Sequence, residues 1–510
     1  MYRILVLAIW LSSLGHAAPI AQTDDVSPAE FREIEQAFTS ASRDDLDGWL
    51  AKMEKVRSVD DERAVDLLGQ ALEDIEQSVN TLGRQYERVV EELTPLQRIN
   101  HTPTERKKYD DLNATRKELG DILDRERRAA TAIEAAFAGM TGESAREALV
   151  REARRSKSWR MRAAALNAIG SWEQRPGDAI EALIEAVERE KDPKVRVIAL
   201  EAAGRTGEVA LVDPVSELLE DKFPEVAKSA AQALGEIGSK DAVPALIKAM
   251  KKVSGNDAVA IQEALTKLTG ANLGENAKDW ERWWKDTGST GDASRLPPSQ
   301  GHKVKKKGVI SYYGIETTSE RVLFIIDISD SMNDSALQDA LPEDGSQPNR
   351  EGNARSKLSV AKDELVKAIV GLSEDSTFNM IFYNHTVSAW QPRMVAANKK
   401  NKNEALEKIL GVKAEGATNI FEALELGFSM AGMGLSDRYY PAAIDTIFFL
   451  TDGEPTAGRL QEKPAILEEI ERQNRYKKVE LHCIGMGILH DRNFLQSLAR
   501  QNAGQYVALK

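Results

Sequence analysis

The chain has 510 residues, too many for a single hydrophobic core, so two or three folded units are expected. A hydrophobic share of 42% beside 29% charged residues excludes a disordered or fibrous chain. The formal net charge of −13 argues against a nucleic-acid binder, because phosphate neutralisation needs a basic surface.

At the N-terminus Arg3 precedes the apolar run ILVLAIWLSSL (4–14), and small residues follow at Gly15 and Ala17. A charged, then apolar, then small-residue order is that of a secretory signal peptide, here 1–17, cut between Ala17 and Ala18. The run is too short to span a bilayer as a mature helix. The expectation is an exported chain, periplasmic or extracellular, with no stable membrane insertion after cleavage. Cys483 is the one cysteine, which rules out an intrachain disulfide. Its setting, VELHCIGMG, suits a buried small hydrophobe.

Residues 28–137 read as a charged helical, coiled-coil region. Apolar residues fall at Val65, Leu68, Leu72, Ile75, Val79, Leu82, Tyr86, Val89 and Leu93, steps of three and four that make a heptad stripe. The stripe stops near Pro95, and TPTE restarts a helix: Thr102 as N-cap, Pro103 first, Glu105 closing a capping box. Two helices about a short break make either an antiparallel hairpin or, through heptads 65–93, a homo-oligomeric coiled coil. Spacing alone leaves both open.

Residues 140–286 repeat. The segments RAAALNAIG, RVIALEAAG, AKSAAQALG and AIQEALTKLT align, ending at Gly170, Gly204, Gly235 and Thr269. Ala165, Ala199, Ala230 and Ala264 then share one slot, where small side chains let helices approach closely and each repeat buries its apolar face on the next. This resembles the HEAT-like repeats of an α-solenoid. WERWW (280–284) reads as a hydrophobic end cap, and residues 287–308, rich in Gly, Ser, Pro and Lys, as a linker.

Over 309–510 strands and helices alternate. Apolar runs occur at RVLFIID, TFNMIFYN, DTIFFLTDG and VELHCIGMG, with helical stretches at 357–372, 403–411, 419–431, 462–475 and 491–501. Strands buried on both faces and joined by helices imply an α/β doubly wound, mostly parallel sheet. The segment 388–395 suits a short antiparallel edge strand. Ligands of such sheets bind beyond the carboxyl ends of the strands.

That rim carries Asp327, Ser329 and Ser331 after the first run, Thr418 at a helix start, and Asp452 after TIFFL. Two carboxylates and three hydroxyls form a hard oxygen set without His or Cys, which suits Mg²⁺, or less selectively Mn²⁺ or Ca²⁺, and does not suit zinc. The region resembles a von Willebrand factor A domain, and the three segments resemble its metal-ion-dependent adhesion site. The family's Asp-x-Ser-x-Ser falls on Asp327, Ser329 and Ser331, its threonine on Thr418 and its distal aspartate on Asp452. Asp330 departs from the glycine common between the two serines.

The resemblance implies a secreted or periplasmic adhesion or scaffold protein with no catalytic residues. It would bind an Asp or Glu of a protein partner through the metal. A Mg²⁺-dependent hydrolase or phosphotransferase is the alternative, with His385 and His490 as candidate bases near the rim. A metal-independent coiled-coil and solenoid structural protein is a third. The acidic segment 333–356, between the motif and the next helix, reads as a surface loop or a rim that repels wrong partners.

Overall fold

The computed structural model describes residues 26–93, 96, 102–253, 255–287, 310–336, 355–431, 444–487 and 490–509. The expected signal peptide, all but the first residue of the expected linker, and most of the 333–356 segment lie outside the described residues.

The helical region opens with α1 (Pro28–Thr39) and α2 (Leu46–Arg57), then two long helices, α3 (Glu62–Leu93) and α4 (Pro103–Ala138). At the start of α4 the Thr102 hydroxyl accepts the Glu105 N–H, and the Glu105 carboxylate accepts the Thr102 N–H at 2.8 Å, the expected capping box. Along α3, Val65, Leu68, Leu72, Ile75 and Val79 are fully buried and Tyr86 nearly so. They pack on α4 as a hairpin and on α5 (Glu143–Arg155) and α6 (Trp159–Ser171). These side chains are therefore covered within one chain, while Leu82 and Val89 of the same stripe are partly buried. Their burial takes those positions out of the seam that a homo-oligomer through heptads 65–93 would use.

The repeats continue as α7 (Gly177–Arg189), α8 (Pro193–Thr206), α9 (Val212–Glu217), α10 (Pro224–Ile237), α11 (Val243–Met250) and α12 (Gly255–Thr269). The four aligned segments are α6, α8, α10 and α12, which stack side by side. Pro193 and Pro224 each occupy a first helical position, where a missing N–H costs nothing. A closing helix, α13 (Ala277–Thr287), buries Trp280 and Trp283 edge to face at 5.9 Å. The Trp280 indole N–H donates to the Gly274 carbonyl at 2.7 Å, so these rings finish the solenoid and form no open cage.

A short antiparallel hairpin, β1 (Ile310–Tyr312) with β2 (Ile315–Thr317), precedes the main sheet; its three-residue strands fall below what periodicity detects. The sheet holds β3 (Arg321–Asp327), β4 (Thr377–Tyr383), β5 (Val387–Ala389), β6 (Val395–Ala396), β7 (Thr446–Thr451), β8 (Glu480–Met486) and β9 (Tyr506–Leu509). Its order is β5-β4-β3-β7-β8-β9, and β6 also pairs with β4. Strands β4, β3, β7, β8 and β9 run parallel, while β5 and β6 are both antiparallel to β4, so the expected edge strand is split in two.

Alternate residues of β3 explain the two-sided burial. Val322, Phe324 and Ile326 face one core with α14 (Lys357–Gly371) and α15 (Lys399–Gly411). Leu323 and Ile325 face the other, with α16 (Ile420–Met430), α17 (Lys463–Asn474) and α18 (Arg492–Gln501). The chain leaves β3 for β4 on one side and returns through β7 on the other, so the topological switch point lies beyond the carboxyl end of β3.

The sheet is docked on the helical region. The Tyr476 ring, in the turn after α17, joins the solenoid core and meets Trp159 edge to face at 5.8 Å. Asn256 of α12 donates to the Thr446 hydroxyl at the foot of β7 (3.0 Å), and Lys228 of α10 pairs with Glu480 at the foot of β8 (2.8 Å). No described helix is long and apolar enough to cross a membrane.

Candidate functional site

The switch point is where Asp327 stands, as the last residue of β3 and fully buried. A buried carboxylate needs partners for its oxygens, and three are supplied. The Ser329 N–H donates to Oδ1 at 2.8 Å; the Thr451 hydroxyl, at 2.7 Å, and the Tyr383 hydroxyl, at 3.3 Å, donate to Oδ2. Thr451 and Tyr383 end β7 and β4, the two neighbours of β3, so the sheet register itself presents them. Burial, with the charge of Asp452 close by, pushes the Asp327 carboxyl up to about 6 despite the hydrogen bonds from Ser329 and Thr451.

The other expected residues assemble around it. The Ser329 and Ser331 hydroxyls lie 3.2 Å apart, and Ser331 donates to Asp452 Oδ1 at 2.7 Å. Asp452 is fully buried just past β7, and Ser329 and Thr418 are almost so. Thr418 is held by its backbone: its N–H donates to the Thr456 hydroxyl at 2.9 Å, and its carbonyl accepts the N–H groups of Thr456 and Ala457. Gly453 leaves the centre open. A Cβ there would lie 3.6 Å from the Thr418 hydroxyl and 4.0 Å from that of Ser331. All five residues thus meet at one rim, brought by three loops.

Asp330, the departure from the family pattern, is exposed, and its N–H donates to the Gly416 carbonyl at 2.9 Å. Of the two candidate bases, His490 is bonded through Nε2 to the Tyr506 hydroxyl at 2.6 Å. His385 packs on Gly416, where a Cβ would come within 2.1 Å of Nδ1. Beside His385 a cleft of about 320 Å³ opens between the rim and α4, lined by Tyr109, Arg116, Lys117, Asn419 and Arg459 among others.

One resident of the site was not foreseen. Lys357, the first residue of α14, places its ammonium 3.0 Å from Asp452 Oδ2, and its side chain is 4% exposed. A signal existed: a cation in the first turn opposes the helix dipole and calls for a local anion.

Residues 351–508 match the sequence model of the von Willebrand factor type A domain, and residues 180–266 that of HEAT repeats. The chain carries HEAT repeats and a von Willebrand factor type A domain. The match to the A domain takes in Thr418 and Asp452 but begins after Asp327, Ser329 and Ser331.

The chain is 27% identical over 192 residues to inter-alpha-trypsin inhibitor heavy chain H4 of Homo sapiens, covering 38% of this chain and 18% of that one. Against heavy chain H4 of Bos taurus it is 26% identical over 213 residues, covering 41% and 21%. The chain thus spans about a fifth of the length of the curated relatives it matches. A solved von Willebrand factor type A protein from Catenulispora acidiphila is 21% identical with a TM-score of 0.29, covering 38% of this chain and 40% of that one.

Whether the rim of the A domain suits a metal is a question for its donors. Among the described residues no group of three His, Cys, Asp or Glu side chains is gathered as a metal cage. The rim instead offers two carboxylates and three hydroxyls, a set fit for a hard dication. The Lys357 ammonium, 3.0 Å from Asp452 Oδ2, is a fixed positive charge at the edge of that set.

Proposed function

We propose that the A domain of this chain is a divalent-cation-dependent protein-binding module. Asp327, Ser329, Ser331, Thr418 and Asp452 would hold the ion, Mg²⁺ foremost and Mn²⁺ or Ca²⁺ as substitutes. A bound dication supplies a Lewis-acidic position that accepts an anionic oxygen. Two carboxylates beside neutral hydroxyls leave that positive charge incompletely neutralised, so the incoming group is an Asp or Glu of a partner protein. Tyr383 and Thr451 keep Asp327 in place, and Gly453 keeps the approach clear. The output is binding, and no residue is assigned a catalytic role. Export to the periplasm or outside the cell belongs to the same reading, on the strength of the 1–17 segment.

The observation that carries the proposal is the convergence of two fully buried carboxylates on hydroxyls from three loops at the switch point. Calorimetric titration of the full chain with Mg²⁺ should show one site, lost in Asp327→Ala and in Asp452→Asn. Capture of partners from envelope or medium extracts should fail in EDTA. Equal Mg²⁺ uptake by wild type and both variants, with thermal midpoints unchanged, would refute it.

A further inference from the structure

We infer that Lys357 sets the charge balance of the rim, giving up affinity for the dication in exchange for affinity toward the carboxylate that the loaded rim receives. The inference rests on the metal-dependent reading above and deepens it by naming the residue that tunes selectivity for an anion.

Lys357 is held, not swinging. Its N–H donates to the Asp334 carbonyl at 2.9 Å, and the neighbouring Ser356 pairs across an antiparallel bridge with Ser335. Ser356 is also the N-cap of α14, its hydroxyl accepting the Ser359 N–H. The ammonium is thus built into a helix N-terminus, where the backbone already presents partial positive charge, and lysine is seldom buried. What offsets both costs is Asp452, whose Oδ1 takes the Ser331 hydroxyl while Oδ2 takes Lys357. Asp334 also faces the ammonium, at 4.0 Å, but its side chain is half exposed and screened by water; Asp330 is exposed.

The buried charges then decide the behaviour. With Asp327 and Asp452 ionised and Lys357 charged, the rim is left with one net negative charge, and a dication turns it to one net positive. Without the ammonium the loaded rim would be neutral. A like charge beside the ion weakens the ion's own binding, while the residual positive charge strengthens capture of an anion. A merely structural lysine would act differently, since loosening Asp452 would weaken both events together.

The test measures Mg²⁺ affinity by calorimetry on the full chain, in chloride and in acetate buffers of equal ionic strength, acetate serving as the probe carboxylate. Lys357→Gln removes the charge and keeps a donor for Asp452; Lys357→Met removes both. Each is expected to tighten Mg²⁺ by about tenfold, and to shrink the factor by which acetate strengthens Mg²⁺ binding. Should one variant fail to fold by circular dichroism, the other carries the comparison. Mg²⁺ affinity unchanged or weakened in the folded variants, with wild-type binding intact, would overturn the role of Lys357 alone. A wild-type chain that takes up no divalent cation would overturn the metal reading and this inference with it.

Discussion

His482, on β8, is buried and stacked on Phe448 at a ring distance of 5.0 Å. Its Nδ1 accepts the Gln505 N–H at 3.0 Å, which requires that nitrogen to be unprotonated. Burial, helped by the charge of Lys228, pulls the imidazole down to about 4. Glu480 lies 3.9 Å from Nε2 but is already engaged by Lys228, so it does little to hold a proton on the ring. Between pH 6.5 and 4 the unfolded chain therefore binds a proton that the folded chain refuses. Stability from this group is complete above pH 6.5 and falls as the pH drops toward 4, by up to about 3 kcal/mol. Denaturant midpoints at pH 7 and pH 4.5 should differ less in His482→Gln than in wild type; an equal difference would remove His482 from the acid response.

At the scale of elements, the repeat glycines are contact points between helices. A Cβ on Gly170 of α6 would come within 2.7 Å of both Cα and Cβ of Ala202 on α8. On Gly204 the nearest backbone atom is Ala233 Cα at 3.2 Å, and on Gly235 it is Ala264 Cα at 3.2 Å. Alanine in a helix interior gains up to about 1 kcal/mol over glycine in propensity, but forcing helices apart costs about 1–3 kcal/mol. Because the obstacle at Gly170 is backbone, crowding wins, and Gly170→Ala should lower the thermal midpoint. Gly177, at the start of α7, has open space around its Cβ position, so Gly177→Ala should hold or raise the midpoint. Scanning calorimetry of both variants decides the matter; a stabilised Gly170→Ala would show that the helices separate freely. The heptad stripe of α3 was legible for the same reason as these slots, since both depend on spacing along one helix.

The whole molecule is joined by buried charges. Arg459, past the Asp452 loop, has a side chain only 2% exposed that lies between Asp124 of α4 and Glu425 of α16, the latter at 2.9 Å. Tyr86 of α3 donates to Glu425 at 2.8 Å, and Arg116 of α4 pairs with Glu422 at 2.7 Å. Arg475 meets Glu134 at 2.6 Å, and Lys477 meets Glu225 at 3.5 Å with both side chains almost wholly buried. Breaking a buried pair from one side leaves an uncompensated charge and costs about 3–5 kcal/mol. Arg459→Met should therefore lower the melting temperature of the full chain and split one calorimetric transition into two, for the helical region and the A domain. A single unshifted transition would show that the two parts hold together without it. Helix α16 begins two residues after Thr418 and Arg459 follows Asp452 by seven, so this interface also braces two of the three loops of the rim.

What the sequence determined by itself was everything written in local spacing. The heptads, the repeat of small residues, the apolar strands of a parallel sheet, and five oxygen donors beside strand and helix ends were all readable, because each is set by residues a few positions apart. Tertiary structure alone decided which charges are buried and with whom. Glu126 and Arg127 are both buried, and Arg127 meets Glu469 across 342 residues of chain. Lys357 likewise reaches Asp452 across 95 residues, and Thr451 and Tyr383 reach Asp327 only through the register of neighbouring strands. Periodicity reports the face a segment turns inward; it carries no information about which other surface closes over the opposite face, and the energy of a buried charge depends on that surface.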